Sequence, residues 1–280
     1  MNSACLVCGG NYKPSRLPGL LACASCGFTT ADVSQTSEQL EQLYSARYFA
    51  GGEYRDYVSE WRLIEKNFRV RLKDLLKYVP DPGSKRLFEI GCAYGFFLGV
   101  ARERFASVAG IDISSDAVKY AAGELGLAVQ SGDFSHYEFG EQPDVVCLWD
   151  TIEHLAHPDL YLKKVALNMR PGGVIAITTG DLGSFVARFR GARWRLIHPP
   201  THLHYFSKAT LVRLLERYGF AIRYCGAEGL YRSVDTMAYM ILALRHGRPR
   251  LHAFLKRWGL LDWDLYLNLY DIVYAIAEKE

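Results

Sequence analysis

Residues Leu87 to Phe97 read LFEIGCAYGFF, an apolar strand that runs into a glycine bend and then into a helix. In open α/β sheets, ligands sit beyond the carboxyl ends of strands. Gly91 and Gly95 occupy such an end, where bare backbone can approach a ligand closely. The dinucleotide pattern GxGxxG is not met, because Cys92, Ala93 and Tyr94 separate the two glycines. Glu89 stands two residues before Gly91. Its charge would repel a pyrophosphate and welcome a ligand carrying an ammonium or a sulfonium.

Outward from this bend the pattern alternates. RLFEI, SVAGIDI, LAVQ, DVVCLW and GVIAITT predict strands, with helices opening near Gly95, Ser114 and Pro158. Such alternation implies an α/β fold with a parallel sheet covered on both faces. SKATLVRLLERYGF predicts a helix with Ser207 as N-cap and Gly219 as its C′ residue. FAIRYCGAE and LNLYDIVYAIAEK predict the last two strands, with a helical insertion at about 230–262 between them. Asp112 follows Gly91 by 21 residues at the end of the second strand, where an acid can accept hydrogen bonds from both ribose hydroxyls. Asp133 and Phe134 follow the third strand and suit the amino group and ring face of an adenine. A glycine bend alone is weak evidence; Glu89, Gly91, Gly95, Asp112 and Asp133 at successive strand ends are a strong set.

Upstream, SEQLEQLYSARYF predicts a short helix, and 54–78 shows apolar residues at helical spacing with basic residues on a solvated face. PDPGS breaks the chain before the first strand. The division expected is a ribbon at 1–33, a helical cap or linker at 34–84, and the main domain at 85–280. CLVC (Cys5, Cys8) and CASC (Cys23, Cys26) are separated by 14 residues. Two such knuckles make a closed tetrahedral thiolate site that suits structural zinc. Gly9 and Gly27 directly follow them. Cys92, Cys147 and Cys225 read as small core residues.

The 280 residues carry a net charge of +3, which gives no case for a nucleic-acid partner. The N-terminus MNSACLVCGG has no basic stretch followed by an apolar run, so no leader is expected, and the location expected is cytoplasmic. RHGRPRLHAFLKRWGLLDW mixes arginines with Leu, Phe and Trp; it could lie against a membrane or a lipid-linked acceptor, or pack as an amphipathic lid.

EIGCAYG, GIDIS, GDF, PDVVCLWDTIEHLAHPDLYL and MRPGGVIAITT resemble the ordered motifs of class I S-adenosylmethionine-dependent methyltransferases, over about residues 48–279. DTIEHLAHP, HPPTHLHYFS and YFAGGEYRDY are similar to a bacterial subgroup associated with sugar, glycan and natural-product methylation, several of whose members begin with a four-cysteine zinc ribbon. The resemblance implies a Rossmann-like sheet of seven strands. It also implies that Glu89, Gly91, Cys92, Ala93, Tyr94, Gly95 and Phe96 hold the methionine end of the cofactor. Asp112 and Ile113 would hold the ribose, Asp133 and Phe134 the adenine, and Trp149, Asp150 and Ile152 would border it beside the acceptor. Tyr48, Phe49, Tyr54 and Tyr57 would belong to a cap that binds the substrate. Ribboned carbon methyltransferases of this kind have a longer C-terminal domain and a glutamate where this chain has Thr201, so oxygen methylation is the expectation here.

Methyl transfer to a hydroxyl needs a base, and histidine titrates near working pH. His154 after the fourth strand and His202 in the loop HPPTHLHYFS are the expected bases, with His198, His204 and Tyr205 facing the acceptor. An extended loop would point His202 and His204 to the same side. A catalytic metal on the loop histidines lacks a nearby carboxylate in the sequence. Rival readings are an RNA base methyltransferase with a zinc module, a nicotinamide enzyme, and a module that binds the cofactor without turnover.

Overall fold

A computed structural model describes residues 4–32, 58 and 60–280. Its centre is one sheet built from β4 (Arg86–Ile90), β5 (Ser107–Asp112), β6 (Ala128–Ser131), β7 (Val145–Trp149), β8 (Val174–Gly180), β10 (Phe220–Ala227) and β13 (Ile272–Lys279). The strands lie in the order β10-β13-β8-β7-β4-β5-β6. All neighbours pair in parallel except β13, which is antiparallel to both β8 and β10. This is the Rossmann-like seven-stranded sheet that the sequence predicts.

Sequence explains the layering. All five residues of β7 are buried, as are six of seven in β8 and the first six of β13. Strands covered on both faces need such unbroken apolar runs, and each buried branched side chain stabilises by about 1.5–3 kcal/mol. At the edge, β6 is four residues long and mostly exposed. Helices α2 (Phe96–Ala101), α3 (Ser115–Gly123) and α4 (Pro158–Asn168) connect successive strands, followed by α5 (Phe185–Arg190) and α6 (Lys208–Arg217). Ser207 caps α6 reciprocally: its hydroxyl accepts from the Thr210 amide, and the Thr210 hydroxyl accepts from the Ser207 amide. Gly219 follows the helix with φ +76°.

Two additions frame the carboxyl ends of the strands. The first is α1 (Trp61–Leu75), preceding the sheet. The second is the insertion, in which β11 (Leu230–Ser233) and β12 (Asp264–Leu267) pair antiparallel around α7 (Val234–Ala238), a π-helical turn (Tyr239–Arg245) and α8 (Pro249–Arg257). The sequence predicted one strand running from Leu267; the chain instead ends β12 there and starts β13 at Ile272. Asn67 locks the additions together, accepting from the Tyr231 amide at 2.7 Å and donating to its carbonyl at 3.1 Å.

The N-terminal strands β1 (Tyr12–Pro14), β2 (Leu20–Cys23) and β3 (Thr29–Ala31) form a small antiparallel sheet. A fourth strand joins them from 173 residues away: β9 (His204–Tyr205) pairs with Thr29 and Thr30. The short helix predicted at 37–49 lies outside the described residues.

Candidate active site

A cleft of about 470 Å³ opens at the carboxyl ends of β4, β5, β6 and β7, roofed by α1 and the insertion. Glu89, Gly91, Cys92, Ala93, Asp112, Ile113, Asp133, Phe134, Trp149, Asp150 and His154 line it, as the sequence led one to expect. Tyr94, Gly95, Phe96 and Ile152 do not; they stand behind its wall. Tyr94 packs on Phe96 and Tyr120, and Ile152 is fully buried in the core.

The glycines also have a job within the protein itself. A Cβ on Gly91 would lie 2.5 Å from the Thr151 hydroxyl, and one on Gly95 would lie 2.5 Å from Leu127. Both residues also have φ near +77°, at +78° and +76°. Thus the turn and its packing against Thr151 and Leu127 by themselves require glycine at both positions, and Gly91 also lines the cleft.

Glu89 is 2% exposed, lines the cleft, and its Oε2 has no hydrogen-bond partner. Burial, reinforced by the nearby Asp112 charge and opposed by Arg71, pushes its carboxyl well above the usual range. An orphaned buried carboxylate facing a cleft suits a cationic ligand, as the resemblance implies. Asp112 is held rigid: its two oxygens accept from the amides of Ala93 (2.7 Å) and Ser114 (2.8 Å). Asp133 accepts from the Ser135 amide at 2.7 Å and from the Tyr161 hydroxyl.

Arg71 is the residue that sequence reasoning missed. It belongs to the helix read as a solvated face, yet it is 4% exposed and lines the cleft. Its guanidinium donates to Asp150 at 2.8 Å and lies 5.5 Å from the centre of the Trp149 ring. Asp150 in turn accepts from the Thr178 hydroxyl at 3.0 Å and sits at φ +50°.

The histidines divide into two groups. His154 lines the cleft, and its Nδ1 donates to the Thr201 carbonyl at 2.8 Å. His202, 5% exposed, stands behind it with rings 4.6 Å apart, and its Nδ1 donates to the Leu196 carbonyl at 2.9 Å. A carbonyl can only accept, so in both rings Nδ1 carries a proton. The carboxylate absent from the loop comes from Glu153: one of its oxygens and one nitrogen of each of these two histidines lie within 4.8 Å of one another. His198 bonds the Thr201 hydroxyl, and its ring centre is 3.9 Å from that of His202.

His204 turns elsewhere. The extended loop that would align it with His202 is only the two-residue β9. Its Nδ1 meets the Thr30 hydroxyl at 3.1 Å, and its ring stacks on Phe28 in the N-terminal sheet. Burial brings its pKa down to about 4, so it stays neutral. Tyr205 pairs with Thr29 and is 3% exposed. Tyr48, Phe49, Tyr54 and Tyr57 lie outside the described residues.

The four N-terminal cysteines converge. Cys5 and Cys26 sulfurs are 3.6 Å apart, Cys8 and Cys23 sulfurs 3.5 Å apart, and all four lie within 4.8 Å of one another. Thiolates 2.3 Å from a tetrahedral zinc are about 3.8 Å apart, so the donor set fits that ion. Gly9 and Gly27 both take φ +76° at the knuckle ends. The Ser25 amide points at Cys23 Sγ, 3.4 Å away.

Comparison with known proteins agrees with this geometry. Residues 63–224 match the family model described as a methyltransferase domain. The ubiquinone biosynthesis O-methyltransferase of Aeromonas salmonicida is 29% identical over 191 residues, covering 61% of this chain and 80% of that one. The counterpart from Brucella anthropi is 28% identical over 203 residues, covering 63% and 82%. Among solved structures, the magnesium protoporphyrin IX methyltransferase of Synechocystis with bound S-adenosylhomocysteine superposes with a TM-score of 0.56 at 14% identity, over 88% of this chain and all of that one. At this identity the likeness is one of fold. With the family model spanning more than half its length and a cleft where that fold places its ligand, the chain belongs to the methyltransferase-domain family and is an S-adenosylmethionine-dependent methyltransferase.

Proposed function

We propose that this enzyme methylates an oxygen of a small hydroxylated acceptor, a saccharide, nucleotide-linked sugar or related metabolite, with His154 as the base and His202 behind it. The observation that carries the reading is the position and fixed orientation of the two rings: His154 lines the cleft with its Nδ1–H tied to a backbone carbonyl, and His202, tied in the same way, packs behind it. The relatives named as O-methyltransferases favour oxygen as the atom attacked.

S-adenosylmethionine, when bound, supplies a methyl group already activated on sulfur. Glu89 would hold its ammonium end, Asp112 its ribose, and Asp133 with Phe134 its adenine. Trp149 and Asp150, steadied by Arg71, would border the reacting side. The chain's remaining task is to align a hydroxyl and accept its proton on Nε2 of His154. Zinc on Cys5, Cys8, Cys23 and Cys26 would have a structural role, since four thiolates leave no open position. The division into ribbon 1–33, cap 34–84 and catalytic domain 85–280 belongs to the same proposal.

Glu153, His154 and His202 support a second reading, in which a divalent cation on these three residues acidifies the acceptor hydroxyl. The test is a panel of hydroxylated acceptors with methyl-labelled donor. His154→Ala and His202→Ala are expected to lower turnover about 100-fold with unchanged affinity for S-adenosylhomocysteine. Full rate in both variants refutes the base; turnover in the wild type that a chelator abolishes and added magnesium restores, with the four-thiolate zinc retained throughout, selects the cation.

A further inference from the structure

The insertion carries an unusual surface. On α8, Leu251, Phe254 and Trp258 recur at spacings of three and four and so share one face, and that face is 39%, 56% and 68% exposed at these residues. The opposite face holds the helix to the protein: His252 bonds Asp235 at 2.7 Å, and Lys256 bonds the same carboxylate at 2.6 Å. An amphipathic helix of a soluble protein ordinarily buries its apolar stripe. Here His252 and Lys256 hold α8 to α7 of the same insertion, and the apolar stripe faces solvent. The neighbouring turn adds Met240 and Leu244, 59% and 66% exposed, and Trp263 follows at 54%.

Charge says what covers this face. Between Tyr239 and Trp263 stand Arg245, Arg248, Arg250, Lys256 and Arg257, all exposed, against one carboxylate, Asp262. This short segment therefore exceeds the +3 of the whole chain. Arg250 and Arg257 fall beside the apolar stripe on the helical wheel, within reach of the plane in which Phe254 and Trp258 would sit. Aromatic and aliphatic side chains ringed by arginines match the boundary between lipid headgroups and acyl chains, with the cations on anionic headgroups. Position strengthens the match. Met237 and Met240 line the cleft, and Met240 is also exposed, so the apolar face continues into the mouth of the active site.

We propose that α8 and its flanking turns form a docking surface for an anionic lipid bilayer, lying in the interface plane and opening the cleft toward it. No helix among the described residues is long and apolar enough to cross a membrane, so the contact is peripheral. An acceptor with an apolar tail would then enter the cleft from the lipid surface without crossing water. The surface stands on vesicle binding alone, whichever acceptor is methylated.

The experiment is co-sedimentation of the full chain with vesicles of phosphatidylcholine alone and with one-third phosphatidylglycerol. The expected result is at least tenfold stronger partitioning to the anionic vesicles, weakened by salt, with a blue shift of tryptophan emission. F254S/W258S should reduce partitioning at least tenfold, and R248E/R250E should erase the anionic preference. Both variants should retain wild-type affinity for S-adenosylhomocysteine, which shows that they fold. Equal partitioning of F254S/W258S and wild type overturns the proposal. So does a wild type that ignores both vesicles while light scattering finds a dimer that W258S dissociates, which would assign the face to a second copy of this chain.

Discussion

The wall proposed to hold the donor rests on β4, β5 and β7, which are neighbours in one sheet, whereas the wall proposed to face the acceptor is assembled from pieces far apart in the chain. Glu89, Asp112 and Trp149 are set by strand register, and each is fixed once its own strand pairs. His154 and His202 have no such support. The loop carrying His202 is held by the amides of Leu203 and His204 donating to the Glu153 carbonyl at 2.9 and 3.0 Å. On its other side, the Ala31 amide and the Thr30 hydroxyl both donate to the Leu203 carbonyl, at 2.8 and 3.0 Å. The N-terminal sheet is itself moored by Arg217, which donates to the Leu6 carbonyl at 2.8 Å. On the proposed roles, the difference implies that donor binding and turnover would depend on separable parts of the molecule, even though the two walls line one cleft.

Four measurements would break or sharpen that separation. The largest effect is expected from Asp112→Ala, which removes a carboxylate from the donor wall and strands two buried amides. S-adenosylhomocysteine affinity should fall about 100-fold in calorimetry, about 3 kcal/mol. Arg71→Met strikes the joint between roof and donor wall. It should cost about 2 kcal/mol in denaturant unfolding, less than a fully buried pair would, because the Asp150 side chain stays 43% exposed. Cys8→Ser, or removal of zinc by a chelator, should lower turnover about tenfold while donor affinity stays within twofold, since the damage reaches only the loop braced by β3. Loss of donor affinity in that experiment would erase the distinction between the walls. The smallest effect concerns Glu228, buried beneath the roof, where burial, partly offset by Arg71, raises its carboxyl to about 7. A carboxyl raised on folding stabilises the native state fully below the unfolded value near 4.5, and this contribution is lost as pH climbs toward 7. Melting temperature should therefore decline across that window in the ligand-free enzyme, and Glu228→Gln should flatten the decline.

The acids lining the proposed donor wall were legible in sequence because each lies at a strand end or within two residues of one, where an extended run breaks into a glycine or a helix cap. Asp133 and Asp112 are examples. The acceptor wall was legible only in its residue types. Arg71 hides in a helix whose basic residues are mostly exposed, and no spacing rule singles out the one that turns inward. Glu153 sits in plain view within DTIEHL, but its approach to His202 depends on two loops meeting across the sheet. His204 was misplaced because the loop stays extended for only two residues, so the alternation that would pair it with His202 never develops. Gly91 and Gly95 were marked for close approach of a ligand; their tight packing against Thr151 and Leu127 is a contact between distant segments that the sequence does not show.

The bond between Thr30 and His204 spans 174 positions. During synthesis the ribbon therefore emerges from the ribosome early and waits, one strand edge bare, until nearly three-quarters of the polypeptide has been made. The loop carrying His202 can seat itself only on these earliest-made strands, and the cleft is completed later still, when the insertion and the last strand are made. A nascent chain stalled before this point is an open edge in search of a partner, so the interval is where misassembly would begin.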